Sequence, residues 1–185
     1  MRITSTVVAS AEELAQAFSI RSQVYIGEQK CPYNEEFDGN DYCALHILTF
    51  ADGEPAGTIR IRWFHDYAKF ERVAVLTRYR SSEVALEMMK YATEIVRRKG
   101  FRKICGFAQK RLLNYWSKQG YLPFRPEKVF VFSDHEYVEV VQEFPPHPGA
   151  INLHSDPYLA MRVEGRWDEA GILDESAHRE ATNPH

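Results

Sequence analysis

Cysteine is scarce in this chain, and the little there is cannot build a scaffold. Among 185 residues there are three cysteines, Cys31, Cys43 and Cys105. The number is odd and no pair has Cys-x-x-Cys spacing. That suits reduced thiols in a cytoplasm better than a disulfide framework or a thiolate zinc site. The seven histidines show no metal-ligand spacing either, so no metal is expected. No apolar run approaches a membrane span, and the opening MRITSTVVAS lacks the apolar core of a secretory leader. A strong charge of one sign is also missing. A formal net charge of −3 gives no reason to expect nucleic acid or an anionic membrane as partner. Internal repeats and low-complexity tracts are absent. What is there is ordinary globular material, 44% apolar and 26% charged, in a chain long enough to bury a full core as one compact domain.

The stretch with the most local order is Lys69 to Gly100. Phe70, Val73 and Val75 are β-formers in a short run, predicting a strand over Phe70–Leu76. A basic, serine-containing turn follows, Arg78 to Ser82. Ala85, Met88, Met89, Ala92, Ile95 and Val96 then recur at three- and four-residue steps, which predicts a helix with one apolar stripe. Ser81 or Ser82 can cap its first turn, and Gly100 stands where a left-handed C-terminal cap belongs. A basic turn feeding a helix N-terminus can hold an anion, because unpaired N–H groups and the positive dipole end converge there. Taken alone, the stretch reads better as an ordinary βα unit with a solvated basic turn.

Around it, Arg2–Val8 reads as a strand. Ser10 with Glu13 is a capping-box pattern, so a helix begins near Ala11 and runs to about Glu28. Pro32 breaks the chain, and Cys31 to Asp41 reads as a loop carrying Glu35, Glu36, Asp38 and Asp41. Tyr42–Phe50 and Pro55–Phe64 read as a hairpin about Asp52-Gly53. Phe101–Ala108 is a strand parallel to Phe70–Leu76, since a helix joins them. Lys110–Gln119 reads as a short helix, and Lys128–Phe132 and Glu136–Glu143 as antiparallel strands. Pro145 to Gly149 ends the periodicity. Beyond it lies one strand candidate, Tyr158–Val163.

Several weak motifs then fall in a familiar order. Glu71-Arg72-Val73-Ala74-Val75, the turn Arg80 to Ala85, the helix after it, Ala108-Gln109 and Asn114 to Tyr121 resemble the GNAT superfamily of acetyl-CoA-dependent N-acetyltransferases. Gly57-Thr58-Ile59-Arg60 is similar to that family's G-T-x-R strand. The resemblance covers residues 1 to about 143. It implies an α/β (α+β) fold: a mixed, mostly antiparallel central sheet with a splayed parallel strand pair, flanked by helices. Residues 1–143 would form the acyltransferase domain. Residues 144–185 are an extension with three roles open to it: packing over the core, partial disorder, or pairing with a neighbouring subunit in a homodimer.

The implied reaction is acetyl transfer from acetyl-CoA to the amine of a small-molecule or amino-acid-like acceptor. It requires the amine to lose a proton, the oxyanion to be held and the thiolate to be protonated. By motif match, the backbone of Val73, Ala74 and Val75 meets the pantetheine and acyl oxygen. Arg80, Ser81, Ser82, Glu83, Val84 and Ala85 form the pyrophosphate turn, and Asn114 contacts pantetheine. Glu71 is the candidate base. It is placed on the same strand face as Val73 by the period of two, against the alternative of an ion pair with Arg60, Arg62 or Arg72. His46 and His65 rank below it. The acidic loop residues Glu36, Asp38 and Asp41 are candidates for holding the acceptor's ammonium.

Two positions depart from the family's pattern. Ser81 and Glu83 stand where glycines are usual, and Glu83 brings negative charge toward a dianion. The family's acid tyrosine aligns with Trp116, whose indole is no acid, leaving Tyr115 one residue before it as the candidate. Two further readings stay open. One is an acyltransferase using longer donors, because the Glu36, Asp38, Asp41 spacing is similar to acyl-homoserine-lactone synthases. The other is a non-catalytic sensing or interaction module.

Overall fold

A computed structural model describes residues 1–80 and 82–182 of the chain. They fall into two compact units, Met1–Ala150 and Ile151–His185. In the first unit the element order is β1 (Ile3–Val7), α1 (Ala11–Arg21, continued by a π-helical Ser22–Glu28), α2 (Tyr33–Glu36), β2 (Leu45–Ala51), β3 (Glu54–Trp63) and β4 (Ala68–Val75). There follow α3 (Val84–Arg98), β5 (Lys103–Gln109), α4 (Leu113–Lys118), β6 (Leu122–Pro123), β7 (Val129–Phe132) and β8 (His135–Glu143). The strands make one eight-stranded sheet in the order β1-β2-β3-β4-β5-β8-β6, with β7 also on β8. Every pairing is antiparallel except β4 with β5. The mixed, mostly antiparallel sheet with flanking helices is as expected from the sequence.

Alternation along β2 and β3 sorts the core into two layers. Ile47 lies opposite Ile59, and Leu45 opposite Ile61. Gly57 belongs to the same face. A Cβ there would come within 3.3 Å of Val84 Cγ1 and 3.2 Å of the Ala74 carbonyl, so α3 approaches the sheet closely at this glycine. The buried stripe of α3 is Val84, Met88, Met89, Ala92, Ile95 and Val96, with Val84 in place of the expected Ala85. The other face carries Leu48 and Ala74, clustered with Ala17, Ile20 and Val24 from α1 and its extension. Gly100, with φ +90°, ends α3 in the left-handed conformation. The N-terminal cap differs from expectation. Glu83 holds the cap position without a side-chain bond, and the Ser82 hydroxyl accepts from Val84 N at 3.3 Å. Ser81 lies outside the described residues.

The strand–helix alternation read from the sequence meets three corrections in detail. Tyr42 and Cys43 belong to a 3-10 turn, and β2 begins at Leu45. The Cys31–Asp41 loop contains the short helix α2, started by Pro32. Tyr158–Val163 is no strand. Asp156 caps a helix there, α5 (Pro157–Met161), its carboxylate accepting from Tyr158 N at 3.0 Å with Pro157 in the first turn. That second unit is tied internally by Arg162, which donates to Asp174 at 2.7 Å and to the Trp167 carbonyl at 2.6 Å. Residues 144–150 stay with the first unit. Phe144 N donates to Arg102 O at 2.8 Å, and His147 Nε2 lies 3.1 Å from Glu94 Oε1.

Candidate active site

The site is built on an irregularity of β4. Its parallel pairing with β5 covers only Ala68, Lys69 and Phe70, opposite Ile104, Cys105 and Gly106. Immediately after, the register with β3 slips, so that Arg72 and Val73 together face Ile59. Arg72 takes φ +52°, a left-handed conformation that costs a non-glycine residue of order 1–3 kcal/mol. A bulge of this kind bends the strand and re-aims its side chains. It also breaks the period of two, so Glu71 and Val73 do not share a face by regular alternation as the sequence suggested. Instead Glu71, Arg72 and Val73 in succession line one cavity of about 340 Å³. Sharing part of its lining, a slot of about 40 Å³ is bounded by Phe70 and Val73 of β4, Gly106 to Ala108 of β5, and Trp116 and Tyr121.

A buried ionic network holds the bulge. Arg21, at the end of α1, and Arg60, on β3, are both fully buried. Arg21 donates to Glu36 and to Asp41, each at 2.5 Å. Arg60 donates to Asp38 at 2.7 Å, to Asp41 at 3.0 Å and to Glu71 at 2.8 Å. Arg72 reaches Glu36 Oε2 at 2.9 Å, Asp38 at 3.2 Å and the Glu35 carbonyl at 2.6 Å. The strained residue is therefore clamped by its own guanidinium, and the clamp closes through α2 and the loop after it. Tyr25 adds a bond from its hydroxyl to the Val73 carbonyl at 2.8 Å.

This changes the role of the acidic loop. Glu36 and Asp41 are buried and bound by arginines, so they are not free to take an acceptor's ammonium. Of the three loop candidates only Asp38 lines the cavity. Desolvation raises each of these carboxyls, and the arginines oppose it. At Asp38 and Asp41 the hydrogen bonds and charges of the arginines win and hold the groups low. At Glu36 burial wins and the carboxyl sits above its usual range. Glu71 is also desolvated, but Lys69 at 2.7 Å and Arg60 together hold it low. The ion pair weighed as the alternative for Glu71 is thus present, and Glu71 lines the cavity as well.

Tyr115 is 42% exposed and packs edge-on against Trp116; Trp116, not Tyr115, lines the cavity and the slot. One step along a helix turns a side chain by about 100°. The cavity phenols are Tyr25 and Tyr137 instead. His46 is buried with Nε2 3.0 Å from the Asp41 carbonyl, and its imidazole is pushed down by burial; His65 is exposed and lies on another cavity. Asn114 is exposed.

At the turn before α3, Arg80 is engaged. Its Nε donates to the Val75 carbonyl at 2.9 Å and its Nη2 to Glu28 at 2.5 Å. Glu28 also accepts from the Thr77 hydroxyl at 2.7 Å; that bond first, and Arg80 next, lower its carboxyl. Glu83 is exposed. A 15-residue helix opening on an arginine turn beside the strand split fits a coenzyme's phosphates, although Glu28 already holds the arginine. Sequence reasoning missed Glu28, Gln29, Gln109, Arg111 and Tyr137. They come from elements far apart in the chain, and only Gln109, flagged within Ala108-Gln109, carried any local signal.

A mixed sheet split at its one parallel pair, with a cavity in the split and a basic turn at the next helix, is the kind of fold the family resemblance implied. Residues 9–121 match the acetyltransferase (GNAT) family, and the chain belongs to that family. It is 30% identical over 117 residues to the uncharacterized N-acetyltransferase YjcF of Bacillus subtilis (strain 168), covering 63% of this chain and 84% of that protein. The crystal structure of Escherichia coli ElaA is similar with a TM-score of 0.68 at 23% identity, over 77% of this chain and 100% of ElaA. A GNAT family acetyltransferase from Elizabethkingia anophelis, solved with acetyl-CoA bound, is similar with a TM-score of 0.61 at 13% identity, over 77% and 98%. Family membership makes the chain an N-acyltransferase.

Proposed function

We propose that the chain transfers an acetyl group from acetyl-CoA directly to the primary amine of a small-molecule or amino-acid-like acceptor. The observation that carries this is the β4–β5 split, where a cavity with a carboxylate in its wall meets a narrow slot. Acetyl-CoA supplies a thioester: the amine nitrogen bonds to its acyl carbon, the carbon–sulfur bond breaks, and the sulfur leaves to become a thiol. The slot between Val73 and Gly106–Ala108 receives the pantetheine arm. The backbone of Val73 to Val75, past the end of the β5 pairing, meets the developing oxyanion. Arg80 and the first turn of α3 take the pyrophosphate once Glu28 lets go.

Glu71 receives the proton the amine must lose, directly or through water. Held low by Lys69 and Arg60, it is ionised at neutral pH but is a weak base, so the proton passes on to solvent. Tyr137, whose hydroxyl accepts from Gln109 at 3.2 Å, is the phenol within the cavity that can return a proton to the sulfur; Tyr115 is not. Acetyl-CoA, longer acyl-CoA and coenzyme A, added separately to thermal melts, test the donor, since a ligand that binds only the native state raises Tm. Acetyl-CoA is expected to give the largest shift, and Glu71→Gln is expected to slow acetylation by roughly two to four orders of magnitude with donor affinity kept. A larger shift with long acyl chains would replace the acetyl donor, and no shift with any of them would remove the reaction.

A further inference from the structure

The cavity wall carries more positive charge than its own carboxylates can use. Asp38 and Glu71 face it, against Arg62, Lys69, Arg72 and Arg111. Both carboxylates already have cationic partners within the protein: Asp38 accepts from Arg60 and Arg72, and Glu71 from Arg60 and Lys69. Among the described residues Arg111 has no ion pair or hydrogen bond. Arg62 comes no nearer than 3.8 Å to Glu71, too far for a hydrogen bond, and rests against Phe64.

A second feature points inward from the same wall. Gln109 is 7% exposed. Its Nε2 donates to Gln29 at 3.3 Å and to Tyr137 at 3.2 Å, while its Oε1 is buried without a partner among the described residues. A buried acceptor left unpaired is costly, and a ligand N–H would satisfy it. A purely cationic acceptor would meet two surplus positive charges and no spare carboxylate. Resting on the transfer reaction assigned above, we propose that the acceptor amine also bears a carboxylate, as an amino acid does. Arg111 and Arg62 take the carboxylate, and Gln109 Oε1 accepts an N–H of the amine. The two guanidiniums match a planar carboxylate better than lysine would.

The test compares the standard L-amino acids, their carboxamides and the corresponding decarboxylated amines. Binding is read by calorimetry with coenzyme A present, and acetylation by thiol release with acetyl-CoA. At least one acid is expected to exceed its own carboxamide by about tenfold or more in kcat/KM and in Kd. The carboxamide's amine is the less basic and so the more easily deprotonated, which makes the preference harder to reach by accident. Arg111→Gln, at an exposed and unpaired residue, should bring the ratio to near unity while donor binding stays. Arg62→Gln should leave it there in the double variant and, made alone, should lower the ratio only part of the way. Carboxamides or decarboxylated amines that bind and react as well as the acids would overturn the proposal. So would Arg111→Gln and Arg62→Gln slowing all three classes alike. Arginine-dependent binding of an acid without acetylation would leave the ligand class standing and sink the reaction; acetylation indifferent to the carboxylate would do the reverse.

Discussion

Replacing Arg21 with methionine tests whether the ionic network supports the site. The side chain is fully buried and donates to the Glu36 carboxylate and carbonyl and to both Asp41 oxygens. Methionine keeps the apolar stem against Phe18 and Phe37, whose rings lie 5.2 and 5.4 Å from the guanidinium carbon. What is lost is the charge between two desolvated carboxylates. Breaking a buried pair costs about 3–5 kcal/mol. Here Glu36 keeps Arg72 at 2.9 Å and Asp41 keeps Arg60 at 3.0 Å, which puts the loss near the lower end, about 3 kcal/mol. For a chain of this size that is a fall in Tm of roughly 6–12 °C. Urea and thermal unfolding would read it. Adding Glu36→Gln removes the stranded negative charge, so the double variant should be more stable than the sum of the single losses by about 1–3 kcal/mol. The acceptor's KM should rise more than the donor's, because the loop after α2 clamps Arg72 at the cavity wall. A loss under about 1 kcal/mol for Arg21→Met, or strict additivity with Glu36→Gln, would refute the clamp.

Other outcomes follow from the same geometry. Glu28→Gln frees Arg80 from an exposed pair and should tighten coenzyme A about 1.5- to 5-fold by calorimetry; Arg80→Ala should weaken it, and Glu83→Gly should change it less than Glu28→Gln. Asp38, Asp41 and Glu71 have carboxyls lower in the fold than in the unfolded chain. Their contribution is therefore complete above the unfolded carboxylate range near pH ~4 and is lost as pH falls through it toward the folded values. The raised Glu36 offsets part of that. The urea midpoint should drop between neutral pH and about pH 3, and a midpoint unchanged over that range would mean the network is hydrated. Tyr115→Phe should leave kcat unchanged, whereas Tyr137→Phe should lower it; the opposite ranking would restore Tyr115 as the acid.

Much of the fold was legible along the chain because it rests on local periodicities. The α3 stripe from Met88 to Val96, the Ser10–Glu13 cap and Gly100 each report on their own neighbours, and a crossover helix between two strands makes those strands parallel. The order of Glu71 to Val75, Arg80 to Ala85 and Asn114 to Tyr121 likewise carried the family, since motif order is a linear property. Tyr158–Val163 misled because five apolar-leaning residues fit either period, and the cap at Asp156 and Pro157 decided for helix.

The sequence by itself thus determined the sheet, the central helix and the class of chemistry. Tertiary structure alone decided what the charged residues do. Glu36, Asp38 and Asp41 read as a substrate-holding loop because nothing local reveals that Arg21, Arg60 and Arg72 converge on them from α1, β3 and β4. The bulge at Arg72 is invisible for the same reason. An unfavourable backbone conformation persists only where surrounding contacts over-determine it, and those contacts join residues 11 to 48 positions apart in the chain. Where positive charge is left over, at Arg111 and Arg62, is a remainder after all those pairings are made, and a remainder exists only once the chain has folded.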